Sequence, residues 1–421
     1  MISRSGASVR ATARRCARYC ASFVVSATAL LAACHHAPRL AHAVVDPLGS
    51  LTPLSPALNG ARLPDRLSDS TYWRMITQFS EPGGYFRSEN FVSNEMGVQY
   101  VIPRLQQAVP PGGVYIGVGP EQNFTYLAAL RPRIAFIVDI RRQNLLQHLW
   151  YKAVFELSPT RSAFLSRLFA RTLPATTPST LSADSLLAAL GRAPADPMLF
   201  RRTFAEVRDL LVKTHRFTID STDLSTLRHV DSIFFSAGPS LNYSSGSGGF
   251  GGGGGGGGRG GFGRGMPTFA DIAGATDESG LNRGFLGSDA SYAIVRDMQR
   301  RNLIVPLVGN FSGPKALRTV GAWLKERDAR VNVFYTSNVE QYLFMQGDDW
   351  NRFYANVETL PLDSTSAFIR SVTNRGLNGG GYAGRNGNNM MAQLTSPMIA
   401  LVLDARSGLV RSYGDVIGRS R

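Results

Sequence analysis

The chain contains 421 residues, of which 43% are hydrophobic, and it carries a formal net charge of +15. That length allows one large domain or two ordinary domains with sizeable hydrophobic cores. The basic residues are mostly scattered arginines, and the sequence has no Lys/Arg run and no recognisable nucleic-acid-binding motif, so we exclude nucleic acid as a partner.

The N-terminus has the pattern of a secretory signal. Five arginines and no acidic residue stand in the first twenty positions, and an apolar run follows over residues 21–30. This run is too short to span a bilayer as a mature helix. It ends in Leu31-Ala32-Ala33-Cys34, which resembles the lipobox of bacterial lipoproteins. The resemblance implies removal of residues 1–33, diacylation of the Cys34 thiol, and a membrane anchor on the outer side of the cytoplasmic membrane or in the outer membrane.

A second interpretation of the leader is cleavage after Ala41-His42-Ala43, which would release a soluble exported protein. That site lies far beyond the apolar run, which favours the lipid anchor. All three cysteines (Cys16, Cys20 and Cys34) fall at or before the anchor. The mature chain can therefore form no disulfide and no cysteine-based metal site, and we assign no metal.

Composition divides the rest of the chain. Residues 34–68 are rich in Pro, Ala, Leu and Ser without periodicity, which is typical of a tether. The folded domain is predicted over residues 69–421, with a helical insertion at 160–213. Gly246–Gly265 contains fifteen glycines in twenty residues, which cannot bury enough apolar surface to fold, so a disordered loop is predicted there. A smaller flexible loop is predicted at 376–389.

The domain opens with a strand–helix–strand pattern. The first predicted strand, Val114–Ile116, is followed by Gly117-Val118-Gly119 and a helical pattern. A second apolar run, Ile134–Val138, ends at Asp139, and apolar residues at helical spacing follow over 145–157. Runs that are apolar on both faces are typical of strands buried between two helical layers. The order predicts an α/β domain with a doubly wound, mostly parallel sheet.

Four further strands complete a predicted set of six: Val230–Phe235, Leu303–Val308, Val331–Thr336 and Met398–Leu403. Pro306 cannot donate to a sheet ladder and counts against a regular central strand at its position. The segment Lys315–Arg327 is predicted as a helix with Leu317, Val320 and Leu324 facing inward.

The turn after the first strand is the predicted ligand site. Glycines there let the backbone turn sharply and approach a ligand, and the following helix presents free N–H groups. Asp139 lies 22 residues after Gly117, the interval at which an acid accepts both hydroxyls of a ribose. Over residues 114–157 this order resembles the class I S-adenosylmethionine-dependent methyltransferases. The resemblance implies a cofactor site at Gly117, Gly119, Asn123 and Asp139.

Two positions depart from the methyltransferase pattern. Tyr115 stands where the family places an acid, and Glu121 stands where it favours a third glycine. The cofactor is therefore left unassigned, with S-adenosylmethionine as one candidate. The alternative is that the glycines serve only the turn and that Asp139 caps a helix.

A second group of polar residues precedes the first strand. The stretch Phe79–Glu95, with residues 301–306 and 335–343, is similar to a bacterial lipoprotein family with a methyltransferase-like core and no settled activity. We predict that Glu81, Asn90 and Glu95 line the mouth of the cleft; the alternative is that they cap helices. Because strand ends form the cleft edge in such sheets, the same rim is predicted to hold Ser236, Asn310 and Asn338.

The predicted function depends on both the leader and the methyltransferase-like domain. No Ser/His/Asp order, His-x-x-x-His or convincing carboxylate pair occurs, so no catalytic residue is assigned. S-adenosylmethionine is made in the cytoplasm, whereas the leader directs the protein outside it. The sequence therefore favours an envelope lipoprotein whose methyltransferase-like domain binds a small ligand, either without catalysis or with a different cofactor. Two alternatives stay open: an active methyltransferase, and a structural envelope protein used for contacts with proteins that the sequence does not identify.

Overall fold

A mixed six-stranded sheet organises the part of the chain that the structure describes. The computed structural model describes residues 62–174, 177–178, 180–245, 266–373 and 391–421. The strands are β1 (Val114–Gly117), β2 (Ile134–Asp139), β3 (Ile304–Val308), β4 (Val331–Ser337), β5 (Ala367–Thr373) and β6 (Met391–Pro397). They lie in the order β3-β2-β1-β4-β5-β6, and only β6 runs antiparallel to its neighbour. The fold is therefore α/β with a mostly parallel, Rossmann-like sheet, as the opening pattern predicts.

Several predicted segments fall outside the described residues. They are the signal peptide, Cys34, the glycine-rich loop Gly246–Gly265 and the loop at 376–389. The end of the predicted tether, residues 62–68, belongs to the folded domain instead, because Leu63 and Leu67 are buried in its core. None of the described helices is long and apolar enough to cross a membrane.

Helices surround the sheet. They are α1 (Asp69–Phe79), α2 (Ile102–Ala108), α3 (Gln122–Leu130), α4 (Arg142–Leu157), α5 (Arg161–Phe169), α6 (Ala183–Arg192), α7 (Pro197–Asp209), α8 (Ser221–Ala237), α9 (Phe269–Gly274), α10 (Asp289–Arg300), α11 (Ala316–Lys325), α12 (Val339–Phe344), α13 (Asp349–Glu358), α14 (Met398–Arg406) and α15 (Tyr413–Gly418). A π-helical turn, Leu210–Thr214, continues α7, and a 3₁₀ turn, Gly238–Ser240, follows α8. The predicted helical region at 160–213 is thus largely helical, and the predicted inward residues of α11 are buried.

Strand β4 shows why the central strands are apolar on both faces. The ring of Tyr335 lies 5.2 Å from that of Tyr126 in α3. The ring of its neighbour Phe334 lies 5.9 Å from that of Phe353 in α13. Because successive strand residues point to opposite faces, β4 is covered by a helical layer on each side.

The prolyl strand lies at the edge of the sheet. Pro306 belongs to β3, which among the described strands pairs with β2 alone. Proline is tolerated at such an edge because no second strand needs its missing N–H. Helix α1 lies beside this edge, and the Tyr72 hydroxyl donates to the carbonyl of Ile304 at 3.1 Å.

The predicted strand at Val230–Phe235 is wrong, because this segment is part of α8. The Asp220 carboxylate accepts a hydrogen bond from the backbone N–H of Asp223 at the start of the helix, at 2.8 Å. Leu227, Val230 and Phe234 are buried at helical spacing, while Arg228 and His229 are exposed. The run therefore packs as an amphipathic helix.

The predicted strand at Met398–Leu403 is also wrong, because it forms most of α14. Met398, Leu401 and Val402 are buried at intervals of three and four residues, which is the period of a helix. The sheet is completed instead by β5 and β6. These two strands bury polar side chains such as Arg370 and Gln393, so their sequences lack the apolar run that marks a buried strand.

Candidate functional site

A cavity of about 160 Å³ opens at the carboxyl edge of the parallel strands. We call it the cleft. Its wall is formed by residues that follow or end β1, β2, β3 and β4, with Tyr342 and Leu343 of α12, Tyr243, and the segment over residues 80–95 that we call the cover. Ligands bind at this edge in doubly wound sheets. Six residues predicted for the site lie in the wall: Asn90, Glu95, Gly119, Asp139, Asn310 and Asn338.

The cover is held to the sheet by hydrogen bonds at the ends of two strands. The Ser80 hydroxyl accepts from the N–H of Val308 at 3.0 Å, and the N–H of Glu81 donates to the Val308 carbonyl at 2.8 Å. The N–H of Gly84 donates to the carbonyl of Ile140, also at 2.8 Å. The cover therefore crosses the ends of β3 and β2 and closes that side of the cleft.

Four predicted site residues lie outside the cleft wall, and the first two are Glu81 and Ser236. The Glu81 carboxylate accepts from the backbone N–H groups of Asn310 at 3.0 Å and of Lys315 and Ala316 at 2.8 Å, so it caps α11, the alternative role of this residue. Ser236 is exposed on α8, and its hydroxyl donates to the carbonyl of Ile233. Its assignment to the rim depended on a strand at Val230–Phe235, and that segment is helical.

Gly117 and Asn123 lie behind the cleft and shape the turn. The Asn123 amide donates to the carbonyls of residues 118–120 at 2.8–3.1 Å, and its oxygen accepts from the Tyr115 hydroxyl at 2.8 Å. A Cβ on Gly117 would lie 2.1 Å from the Asn123 side-chain oxygen. Gly117 thus makes room for a protein side chain and not for a ligand.

Gly119 lies in the cleft wall and adopts a conformation that glycine favours, with a φ of +77°. Its carbonyl lies 2.9 Å from His148 Nε2. Burial lowers the pKa of His148 to about 4, so the imidazole is neutral near pH 7 and Nε2–H donates to this carbonyl. Among the described residues, no group bonds His148 Nδ1.

Asp139 is already bonded by a side chain that sequence reasoning did not single out. Its Oδ1 accepts from Arg141 Nε and from the Arg141 backbone N–H, each at 2.9 Å, and its Oδ2 accepts from Nη2 at 2.8 Å. Arg141 also donates to the carbonyls of Ser88 and Glu89 in the cover. The acid predicted to accept a ribose therefore holds an arginine that secures the cover.

Glu95 is the carboxylate of the cleft that lacks a cation. Its side chain is buried, with 2% of the residue exposed. Its Oε2 accepts from the Tyr335 hydroxyl at 2.6 Å and from Gln393 Nε2 at 2.9 Å, and its Oε1 accepts from the Ser337 hydroxyl at 2.5 Å. In the part of the chain that the structure describes, no Lys, Arg or His forms an ion pair with it.

A hydrogen-bond chain fixes the orientation of a further wall residue, Gln122. The Tyr335 hydroxyl donates its one hydrogen bond to Glu95, so it accepts from Gln122 Nε2, at 3.2 Å. The Gln122 oxygen is then left without a donor among the described residues, although the residue is only 4% exposed. Asn90 also has a buried side-chain oxygen without a donor there.

Two wall residues other than glycine have left-handed backbone conformations. The φ of Asn90 is +47° and that of Ser337 is +51°. Such conformations cost on the order of 1–3 kcal/mol, and they concentrate at binding sites, where the surrounding structure imposes them. Both residues line the cleft.

Two other buried glutamates lie outside the cleft wall. Glu340 accepts from Arg370 Nε at 2.7 Å and from Nη2 at 3.2 Å, and neither side chain of this pair is exposed. Glu121 accepts from the backbone N–H of Ser93 at 3.0 Å, and its second oxygen has no partner among the described residues. Burial raises the pKa of Glu121 to about 7.

Within the described ranges, no three His, Cys, Asp or Glu side chains come together as a metal site would need.

Comparison with known proteins shows the family of this chain. A search of curated proteins found no match. A family model described as a domain of unknown function (DUF7790) matches residues 90–180 and 270–402, more than half of the chain. These segments contain Glu95, Asp139 and Ser337, and the chain belongs to this family.

Proposed function

We propose that this chain is a small-ligand-binding protein of the bacterial cell envelope, with a methyltransferase-like α/β domain that has lost or replaced its ancestral cofactor. One observation carries the proposal: Glu95, a buried carboxylate without a cation, lies in the wall of a cleft at the carboxyl edge of the sheet. Burying such a group costs stability unless hydrogen bonds or an opposite charge compensate for it. A ligand that donates to Glu95 completes that compensation.

The volume of the cleft favours a ligand smaller than a nucleotide cofactor. At about 160 Å³, it is close to the cavity of about 150 Å³ that holds one benzene molecule. Drug-sized ligands occupy pockets of about 300–1,000 Å³. An adenosine group joined to a methionine chain exceeds this space, whereas a compact metabolite fits.

The wall groups also favour a ligand other than S-adenosylmethionine. Both oxygens of Asp139, in the wall, accept hydrogen bonds from Arg141, and Tyr115, behind the wall, supplies a phenol that is bonded to Asn123 instead of a carboxylate. Neither position therefore offers a free carboxylate to a ribose or an amino group. An active methyltransferase is the second candidate, and the position of the cleft at the turn after β1 favours it.

Extraction of bound ligand tests the proposal against both alternatives. The full chain is purified from bacterial membranes in detergent and denatured, and the released small molecules are identified by mass spectrometry. We expect a compact metabolite in near-stoichiometric amount. Recovery of S-adenosylmethionine or S-adenosylhomocysteine would favour the active methyltransferase. Absence of any ligand, together with no calorimetric binding of these two compounds or of common nucleotides, would favour the structural envelope protein.

A cavity-filling variant locates the ligand. Asn338 lines the cleft, is partly exposed and makes no side-chain hydrogen bond that caps its helix, so Asn338→Trp fills the space at little cost to the fold. We expect this variant to lose the extracted ligand. Met345→Trp is the matched control, because Met345 is 73% exposed and does not line the cleft. Ligand retained by Asn338→Trp would move the site elsewhere.

The envelope location is proposed from the lipobox-like sequence at Leu31–Cys34. We expect Cys34→Ala to abolish labelling by a fatty-acid analogue, and Cys20→Ala, in the part removed with the leader, to leave it intact. Each buried methylene of an acyl chain contributes about 0.8 kcal/mol, so two chains hold a protein stably at a membrane. A wild-type protein that takes up no label would contradict the anchor.

A further inference from the structure

The charged groups of the cleft wall leave one uncompensated negative charge. Glu95, Asp139 and Arg141 are the charged residues among those that line it. Asp139 and Arg141 form a two-point ion pair, so their charges offset each other. Among the described residues, Glu95 has neutral donors only. The chain as a whole carries +15, so the sign of the cleft is opposite to that of the molecule.

Several side chains of the cleft wall are hydrogen-bond acceptors, which a ligand that carries donors would satisfy. Gln122 and Asn90 line the cleft, and the side-chain oxygen of each is buried and lacks a donor among the described residues. The hydrogen bond from Gln122 Nε2 to Tyr335 fixes the orientation of the Gln122 amide. A carboxylate and two amide oxygens are all acceptors, and an ammonium group offers three donors and a positive charge.

The remainder of the wall is apolar and aromatic. Phe86 and Tyr342 meet edge to face with ring centroids 5.4 Å apart, and Val118, Phe311 and Leu343 add further apolar surface. The volume of about 160 Å³ accommodates about one aromatic ring or a short aliphatic chain. An aromatic wall next to an acid also stabilises a cation over its ring faces.

We propose that the cleft binds a compact organic ammonium compound, whose cationic nitrogen is held by Glu95 and whose apolar body lies against Phe86, Phe311 and Tyr342. The inference rests on the proposed ligand-binding function and names the class of ligand. Neutral hydrogen-bond donors of the same shape fit the space but gain less, because they donate to the carboxylate without supplying an opposite charge.

Three probes of nearly equal shape and different charge test the inference: 2-phenylethylamine, 2-phenylethanol and phenylacetate. Each is titrated calorimetrically into the full chain in detergent, with a detergent blank. We expect the amine to bind about 10- to 100-fold more tightly than the alcohol, because both donate to the carboxylate but only the amine brings a positive charge. The anion is expected to bind least. An alcohol or anion that binds as tightly as the amine would overturn the inference.

Glu95→Gln separates charge from shape. We expect this variant to lose the preference for the amine, because its affinity for the amine falls further than its affinity for the alcohol. Glu121→Gln is the matched control and should keep the full preference, because Glu121 is a buried acid outside the cleft wall. An amine preference that survives in a folded Glu95→Gln protein would overturn the assignment to Glu95.

The wild-type series decides the matter even if Glu95→Gln does not fold. Asn338→Trp should then abolish amine binding, whereas Met345→Trp should preserve it. If wild type shows no amine preference while Asn338→Trp still removes the extracted ligand, this inference fails and the proposed function stands. If no probe binds and no ligand is extracted, the proposed function fails with it.

Discussion

Two buried glutamates occupy opposite faces of β4 where it ends. Tyr335 and Ser337 point to one face and donate to Glu95. Thr336, between them, points to the other face and donates to Glu340 at 3.0 Å. Glu340 is also bonded at two points by Arg370, whereas Glu95 has neutral donors and a cavity beside it. The same residue type is therefore part of a closed ion pair on one face and part of an open cleft on the other.

The contrast shows how a structural acid differs from a candidate binding acid. A buried charge is costly, and a paired and fully hydrogen-bonded guanidinium offsets that cost within the protein. Such a pair has nothing left to offer a ligand. An acid that only neutral donors hold has its charge uncompensated, and a cationic ligand can supply the rest.

The largest expected effect compares the same substitution at both glutamates. Glu340→Gln leaves Arg370 buried without a counter-charge, which should lower the free energy of unfolding by about 3–5 kcal/mol. Glu95→Gln leaves no cation without its counter-charge and should lower the free energy of unfolding by only about 1 kcal/mol. Urea denaturation of both variants and wild type measures the difference.

A double variant controls for the loss of the buried pair itself. Glu340→Gln combined with Arg370→Met removes both charges and should recover part of the lost stability, since apolar replacement of a buried pair is often neutral. If Glu95→Gln is as damaging as Glu340→Gln, Glu95 is a structural acid and the comparison between the two faces does not hold.

The next prediction concerns Glu121, a buried acid that has neither a cation nor a place in the cleft wall. Burial raises its pKa from 4.5 to about 7, so the folded protein holds a proton there that the unfolded chain releases at lower pH. The resulting stability is present below pH 4.5 and is lost as the pH rises through about 7.

Glu121→Gln cannot ionise and so removes this dependence. Between pH 4.5 and 7, the stability of the variant relative to wild type should rise by up to about 3 kcal/mol. Thermal or urea unfolding of both proteins across this range measures it, and buried groups common to both, such as His148 and Asp231, cancel in the difference. A relative stability that stays flat with pH would show that Glu121 is ionised at no unusual cost.

Most of the fold follows from the sequence where burial matches the apolar pattern. The predicted strands Ile134–Val138 and Val331–Thr336 are mostly apolar or aromatic, and the structure has strands there, at Ile134–Asp139 and Val331–Ser337. β5 and β6 were not predicted because their buried polar residues interrupt the apolar pattern of a strand. These residues are bonded by partners distant in sequence; Arg370, for example, is compensated by a glutamate thirty positions away. The strand predicted at Val230–Phe235 was wrong because a short apolar run fits either a strand or one face of a helix.

The candidate site was predictable in position but not in its bonding. Strand ends converge at the carboxyl edge of a parallel sheet, which placed Gly119, Asp139 and Asn310 in one wall. The sequence could not show that Arg141, two positions after Asp139, folds back onto it. The donors to Glu95 come from β4 and β6, more than two hundred residues away in the chain, and no local pattern connects them.

A smaller effect is expected at Asp139, which is paired like Glu340 but lies in the cleft wall. Asp139→Asn removes a charged contact to Arg141, which keeps its bonds to the carbonyls of Ser88 and Glu89. We expect a loss of about 2 kcal/mol and faster amide hydrogen exchange in the cover. Glu358→Gln is the control, because Glu358 and its partner Arg406 are 35% and 54% exposed and such surface pairs contribute below about 1 kcal/mol. Unchanged exchange in the cover would show that Arg141 does not secure it.

The smallest effect tests the same comparison with single hydroxyl groups. Tyr335 donates to Glu95 at 2.6 Å, and Tyr354 donates to Glu340 at 2.8 Å. Tyr335→Phe should lower the free energy of unfolding by about 1.5 kcal/mol, because the acid loses one of a few neutral donors and Gln122 loses its acceptor. Tyr354→Phe should cost only about 0.5–1 kcal/mol, because Arg370 still compensates Glu340. Chemical denaturation of the two variants gives the order directly. If Tyr354→Phe lowers the free energy of unfolding as much as Tyr335→Phe does, the Arg370 guanidinium does not compensate Glu340 for the loss of the hydroxyl. The difference between the two faces of β4 would then lie in the cavity beside Glu95 and not in the charge.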